Sequence, residues 1–223
     1  MPRTVSKPAG LPVFPRHDDP GSDCVLRRLL AEDAWRETLD WPEGFAGGIA
    51  HRLDVSTSGA VWVADDVAEL GRMREAFASG ALRKTYRFVA RREVPWDHHR
   101  VDRPLAHDRS HKRRMVVQRG PSTPHRGRWI PARTELERVN GQLWSAVIET
   151  GVMHQIRVHA AFVGLALAGD RVYGGGETPA DAPEGAEFLL HHVGLEGGGW
   201  KTDPVPLPRW VSERAGSSLS LRT

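Results

Sequence analysis

The chain has 223 residues, 39% of them hydrophobic and 26% charged, with a net charge of +3 and a single cysteine. That length suits one substantial core, the composition is that of an ordinary globular protein, and a lone Cys24 excludes an internal disulfide. No apolar run approaches the length of a membrane span and the first residues lack the apolar stretch of a secretory signal, so the expected compartment is the cytoplasm.

Charge is unevenly spread. Residues 100–138 hold eleven Arg/Lys against four acids. This block carries the whole positive excess, which fits either a footprint for a phosphate backbone or a solvated basic loop.

In chain order, residues 1–22 are rich in Pro and Gly without periodicity and read as a tail lying on the domain surface. A short helix is predicted around Val25–Ala31, with Asp23 as its cap. IleAlaHisArgLeuAsp (49–54) runs into a polar ThrSerGly turn, and AlaValTrpValAla (60–64) then reads as a buried strand. Asp66 and Glu69 have capping-box spacing, and Val67, Leu70, Met73 and Phe77 follow at helical intervals until Gly80. Residues 82–91 alternate as a half-buried strand. The stretch 98–131, polar, basic and interrupted by four prolines, reads as a long loop of a length that usually serves a function. Residues 133–148 read as a β-hairpin turning at Asn140-Gly141 through a type I′ turn. Residues 153–163 are predicted helical with Gly164 as the stop, 174–187 form a surface loop, and 1–6 and 212–223 are expected to be flexible tails. Without repeats or βαβ regularity, the prediction is one α+β domain over 1–223, a mostly antiparallel mixed sheet with flanking helices.

Three stretches carry chemistry. HisArgLeuAspValSerThrSerGly (51–59) puts one carboxylate, Asp54, on a turn between apolar segments. ArgLysThrTyrArgPheValAla (83–90) puts Tyr86 on a strand. ThrGlyValMetHisGlnIleArgValHis (150–159), followed by GlyAspArgValTyrGly (169–174), puts Arg157 on a helix. Taken singly, Asp54 can cap a turn, Tyr86 can be core, and Arg157 can make an exposed ion pair. The eleven histidines do not form a zinc pattern: His154 and His159 are five apart, and His98–His99 and His191–His192 are adjacent pairs whose side chains diverge.

Together, and in this order, the three stretches resemble the RluA-type family of RNA pseudouridine synthases. The likeness runs from LysProAlaGlyLeu (7–11) to PheLeuLeuHisHis (188–192). It implies a pseudouridine synthase-like fold and an isomerase that converts a specific uridine in structured rRNA or tRNA to pseudouridine. By the same resemblance Asp54 is the nucleophile, Tyr86 stacks on the target base, and Arg157 pairs with the aspartate. Arg52 fills the gap left by the extruded base. His51, Lys84 and His154 are expected on the RNA side, and Arg109, Lys112, Arg113 and Arg114 at phosphates.

Chemistry agrees with these roles. A uridine in folded RNA hides its glycosidic bond and must be flipped out, an aromatic platform offsets that cost, and a guanidinium keeps a desolvated carboxylate charged. All atoms of the base are retained, so no cofactor, metal or second substrate is implied. RNA is the expected partner, and a monomer without an obligatory protein partner is the expected state.

Two departures from the family pattern stand out. Val152 and Met153 replace a polar pair before HisGlnIleArg, and the chain starts almost at the LysPro element, without the usual preceding strand. With 50 residues ahead of His51, no separate N-terminal RNA-binding domain is expected. The alternative reading is a non-catalytic RNA-binding or folding factor on the same scaffold. A nucleoside or glycoside hydrolase would need a second acid beside Asp54, and these motifs hold none.

Overall fold

The computed structural model describes residues 2–216, which divide into two compact units. The first comprises residues up to 84 together with 183–186 and 191–207, and the second comprises 85–182, 187–190 and the C-terminal residues from 208.

In the first unit, strand β1 (Arg3–Lys7) pairs antiparallel with β2 (Ser58–Val63), Lys7 lying opposite Gly59. Every residue of β2 is buried, as its unbroken apolar run requires. Strand β10 (Leu190–Gly197), which enters this unit at His191, pairs parallel with β2 and carries a short antiparallel partner, β11 (Trp200–Lys201). Helix α1 (Val25–Glu32) and helix α2 (Val67–Ala78) flank these strands. Leu70 and Met73 of α2 pack with Trp62, Leu82 and Leu195. The α2 cap works as its spacing predicts at one end, Asp66 accepting from the Glu69 N–H at 2.7 Å, while Glu69 reaches back to the N–H of Asp65. Arg36, fully buried, donates to the carbonyls of Gly47 and Ala64 and to Asp33 and Asp65.

In the second unit the strands run in the order β3 (Arg83–Val89, entering at Thr85), β9 (Leu143–Ile148), β8 (Arg133–Asn140), β4 (His98–Asp102). A separate antiparallel sheet has the order β6 (Met115–Val117), β5 (Leu105–His107), β7 (Arg126–Ile130). Helix α3 (Gln155–Phe162) packs Val158 with Leu105, Met115 and Val117 of that small sheet. Helix α4 (Arg209–Ala215) packs Trp210, Val211 and Ala215 on Val89 and Leu143. This is the expected α+β class with mostly antiparallel pairing, and among the described residues no helix is long and apolar enough to cross a membrane.

Five local expectations fail. Residues 3–6, read as tail, belong to β1, because backbone pairing to β2 and an Arg3–Asp33 ion pair leave no mark in side-chain periodicity. A strand therefore does precede the LysPro element. The cap of α1 is Cys24, whose sulfur accepts from the Arg27 N–H, while Asp23 pairs with Arg28. The long loop of 98–131 contains four strands, its few apolar residues Leu105, Met115 and Val117 being enough to seed a buried layer. The hairpin turn has a positive φ only at Gly141 of its two central residues, so it is not type I′; Asn140 still pairs with Leu143, and Gly141 takes the first turn position. Residues 212–215, expected to fray, lie in α4 because Trp210 and Val211 anchor that helix; 217–223 lie outside the described residues.

The parallel contact of β2 with β10 demands a glycine. At Gly59, φ is +124°, and a Cβ would stand 2.1 Å from the carbonyl oxygen of His192. Gly59→Ala is expected to destabilise the fold by about 3 kcal/mol or more, since both the left-handed conformation and the backbone contact resist a side chain. Urea denaturation of the two proteins checks this, and a loss under about 1 kcal/mol would show that the strands can separate at little cost.

Candidate functional site

The candidate residues fall in both units. In the first, Asp54 sits half-exposed on the turn that leads into β2, its carbonyl accepting from the Thr57 N–H at 3.0 Å. The next carbonyl, that of Val55, accepts from the Gly10 N–H and from Lys7 Nζ, both at 2.9 Å. Lys7 Nζ also donates to the Pro8 carbonyl at 3.0 Å, and its side chain is 1% exposed. Desolvation pulls the Lys7 ammonium down to about 8, and the Asp54 carboxylate opposes that fall. The turn is thus pinned from the LysProAlaGly segment, a second strand-side contact that spacing alone does not reveal.

Beside this turn, His51 stacks near Phe77 and His192, with ring centroids 5.3 and 5.7 Å away, and Lys84 Nζ lies 5.3 Å from the Phe77 ring. His51 Nε2 accepts from the Trp62 N–H, so its proton resides on the other nitrogen. Burial, aided by His192 and Lys84, pushes His51 well below the ordinary histidine range. Its imidazole is neutral and committed to the backbone. Arg52, its neighbour, is exposed. Burial likewise lowers Lys84. His192 Nδ1 donates to the Ala60 carbonyl at 2.7 Å, and His191 Nδ1 is 2.9 Å from the Ser58 hydroxyl.

In the second unit, Tyr86 is buried on β3, and Arg157 is buried on α3. Asp170 holds the Arg157 guanidinium through two bonds, Nε to Oδ2 at 2.6 Å and Nη2 to Oδ1 at 3.0 Å. The guanidinium carbon lies 4.3 Å from the Phe188 ring centre and 5.2 Å from that of Tyr173. A planar cation clamped between a bidentate carboxylate and two rings keeps one orientation. Asp170 also caps the short helical turn Arg171–Tyr173.

His154 begins α3 with φ +56°, the only left-handed non-glycine among the described residues. Such strain persists where surroundings enforce it. Here the imidazole Nδ1 is 3.0 Å from the Tyr173 hydroxyl, which accepts the Met115 N–H at 2.9 Å. Burial raises the Tyr173 phenol to about 12. The next residue, Gln155, gathers the start of the helix: its Oε1 accepts from Thr150 and the Val152 N–H, and its Nε2 donates to the Arg133 carbonyl. The altered pair divides accordingly, Val152 packing half-buried against the core and Met153 standing exposed. His159 is fully buried, Nε2 donating to the Arg103 carbonyl at 2.9 Å and Nδ1 accepting from Thr134.

Tyr173 gathers the second group. The Arg114 guanidinium carbon is 5.8 Å from its ring centre, so His154, Arg157 and Arg114 all meet one aromatic side chain. Arg109, Lys112 and Arg113 stand exposed on the β5–β6 turn, which Asp108 shapes by accepting from the N–H groups of Ser110 and His111. Asp170, Tyr173 and Lys7 lie in motifs legible in the sequence, but their contacts with Arg157, His154 and the Asp54 turn are long-range and carry no local signal. Among the described residues no group of three or more His, Cys, Asp or Glu is placed to hold a metal.

Comparison with known proteins supplies an independent reading. The family model described as RNA pseudouridylate synthase matches residues 4–162. The chain is 32% identical over 172 residues to an uncharacterised RNA pseudouridine synthase, YhcT, of Bacillus subtilis, covering 77% of this chain and 54% of that one. It is 33% identical over 186 residues to ribosomal large subunit pseudouridine synthase D of Yersinia pestis, covering 82% and 52%. The chain therefore spans about half the length of these curated relatives. Among solved structures, human RNA pseudouridylate synthase domain containing 1 aligns over 94% of this chain and 82% of its own with TM-score 0.70 and 21% identity, a likeness of fold. Human RNA pseudouridylate synthase domain containing 4 gives a TM-score of 0.67 at 20% identity, over 93% and 86% of the two chains.

The buried histidines set the acid limit of the fold. Burial lowers His159 and His192 to about 4 each, and His51 moves the same way. An unfolded histidine titrates near 6.5, so the stability these groups contribute is complete above that pH and is lost as pH falls towards 4. The loss is expected to be roughly 3 kcal/mol for each of His159 and His192. Urea midpoints at pH 7.5 and 4.5 measure it, and equal midpoints would mean that the rings are protonated in place without penalty.

Proposed function

We propose, because the chain belongs to the RNA pseudouridylate synthase family, that it isomerises a uridine in structured RNA to pseudouridine, with Asp54 as the nucleophile. The observation that carries this reading is the Asp54 turn: a half-exposed carboxylate held on a backbone fixed by Lys7, Gly10 and Thr57, within the span that the family model matches. A carboxylate that must attack one atom of a flipped nucleotide gains most from such positioning.

In this reading the chain is a single catalytic domain, Tyr86 is the ring on which the extruded uracil stacks, and Arg157, oriented by Asp170, is the catalytic cation. Arg52, exposed beside Asp54, occupies the space the base leaves. The base is extruded first, since its glycosidic bond is inaccessible in a stacked helix. The N1–C1′ bond then breaks with assistance from Asp54, the uracil turns in place, and C5 bonds to C1′. The C5 proton leaves to solvent and N1 takes one up, so the atoms balance without a cofactor. Relatives named for the large ribosomal subunit favour ribosomal RNA as the first substrate to test, with tRNA the second class. Action on such RNAs in the cytoplasm as a monomer completes the reading.

The test is release of tritium from RNA labelled at uridine C5. Wild type is expected to release it, and Asp54→Asn to lose turnover while RNA affinity stays within a few-fold. Binding without release by the wild type would favour a non-catalytic RNA-folding factor instead.

The exposed cations of the β5–β6 turn are assigned to the RNA backbone. Neutralising Lys112, Arg113 and Arg114 together is expected to weaken binding to unrelated RNAs alike. It should also flatten the slope of log affinity against log salt by roughly 0.7–0.9 for each phosphate that is no longer neutralised. The single-turnover rate at saturating RNA should hardly change, because these groups position the substrate. Titrations at several salt concentrations check this, and an unchanged slope would assign the segment to solvent.

A further inference from the structure

We propose that the stacked rings of His125 and Trp129 form a platform for an unpaired RNA base, a second nucleotide contact besides the one assigned to Tyr86. This rests on RNA being the substrate, and narrows its class to RNA that offers an unpaired base in addition to the target uridine.

The pairing of β7 brings the rings together. Residues four apart in an extended strand are separated by about 13 Å. The ring centroids of His125 and Trp129 nevertheless lie 4.2 Å apart, with planes inclined by 32°. The cause is a bulge. His107 of β5 faces Arg126 and Leu105 faces Ile130, so residues 127–129 of β7 stand against the single Ala106. Gly127 takes φ +74° inside the bulge, a conformation that glycine adopts without steric cost. In the order β6-β5-β7 the bulged strand is an edge, where the irregularity interrupts no second ladder of that sheet. The His125 ring is held from its other side as well. Its Nδ1 donates to the Thr123 carbonyl at 3.0 Å, and Thr123 Oγ1 accepts from the N–H groups of Arg119 and Gly120 at 2.9 and 3.0 Å.

Exposure and charge point to the occupant. Both rings are half-buried, and Arg126, Gly127 and Arg128 between them are exposed. Bulges re-aim side chains, and the ones re-aimed here are two rings left half-open. Between Asp108 and Glu135 the sequence holds eight Arg/Lys and no acid. A polyanion complements that charge, and an aromatic face among guanidinium groups is a surface on which bases stack while phosphates are neutralised. The bases of a duplex are stacked on one another and closed to such a face, so the fit is to single-stranded RNA.

Binding of a short oligouridylate and of an RNA duplex of similar length, measured on the full chain, tests the platform. Trp129→Leu keeps an apolar side chain and removes the ring. It is expected to lose about 5–100-fold in affinity for the oligouridylate, with duplex affinity and the salt slope of binding unchanged. Trp129→Phe, which keeps a ring, should stay within about threefold of wild type. Unchanged oligouridylate affinity in Trp129→Leu, or an equal loss on the duplex, would overturn the proposal. Photocrosslinking of wild type to an oligouridylate carrying 5-iodouridine needs no variant, and decides the matter should Trp129→Leu fail to fold. Adducts at His125 or Trp129 are expected, and adducts confined to other residues would refute the assignment. Tritium release from structured RNA by wild type is scored separately. Its absence removes the isomerase reading, with binding and crosslinking still deciding the ring contact; release without any binding of the oligouridylate removes the platform and leaves the isomerase standing.

Discussion

A cation can be buried in a protein of this size only if its N–H donors find acceptors, and that constraint organises the functional parts of this chain. Among the described residues three cations are buried: Lys7, Arg36 and Arg157. Each is satisfied by a segment remote in sequence, and each thereby fixes that segment. Arg36 joins its own short helical turn to the carbonyls of Gly47 and Ala64 on either side of β2. Lys7 joins β1 to the peptide after Asp54. Arg157 joins α3 to the Asp170 turn. Deleting any of the three would leave polar partners without their donors, which is why these contacts hold loops as firmly as helices.

The same constraint shapes the electrostatics. Buried histidines stay neutral because desolvation outweighs the backbone acceptors that favour their charged form. His192 donates to Ala60 and His159 to Arg103, and the ring nitrogen opposite accepts or packs. Formal charge is concentrated elsewhere, at the Arg157–Asp170 pair and at the Arg36 contacts with Asp33 and Asp65.

The basic excursion shows how a cluster of cations can be mounted on a minor structural element. Three short strands and the packing of Leu105, Met115 and Val117 against Val158 give the segment a floor. On that floor Arg109, Lys112 and Arg113 project outward, while Arg114 turns towards Tyr173 and so towards His154 at the start of α3. Charges on a turn with an ordered base present a fixed pattern, which a solvated loop cannot.

The sequence by itself determined the family and much of the frame. The HisArgLeuAsp turn, the Tyr86 strand and the HisGlnIleArg helix are local patterns whose residue types and order carry the family. β2, α2 and α3 followed from runs and periods that one segment contains whole. What only the tertiary structure decided were contacts between segments: β1 as a strand, the small sheet in the basic stretch, α4 at the end of the described chain, and the partners of Lys7 and Arg157. Periodicity reports which side of an element faces apolar surroundings. It is silent on a backbone ladder that a nearly featureless segment makes with a distant strand, and on which carbonyl or carboxylate receives a buried cation, because those depend on the meeting of residues tens of positions apart.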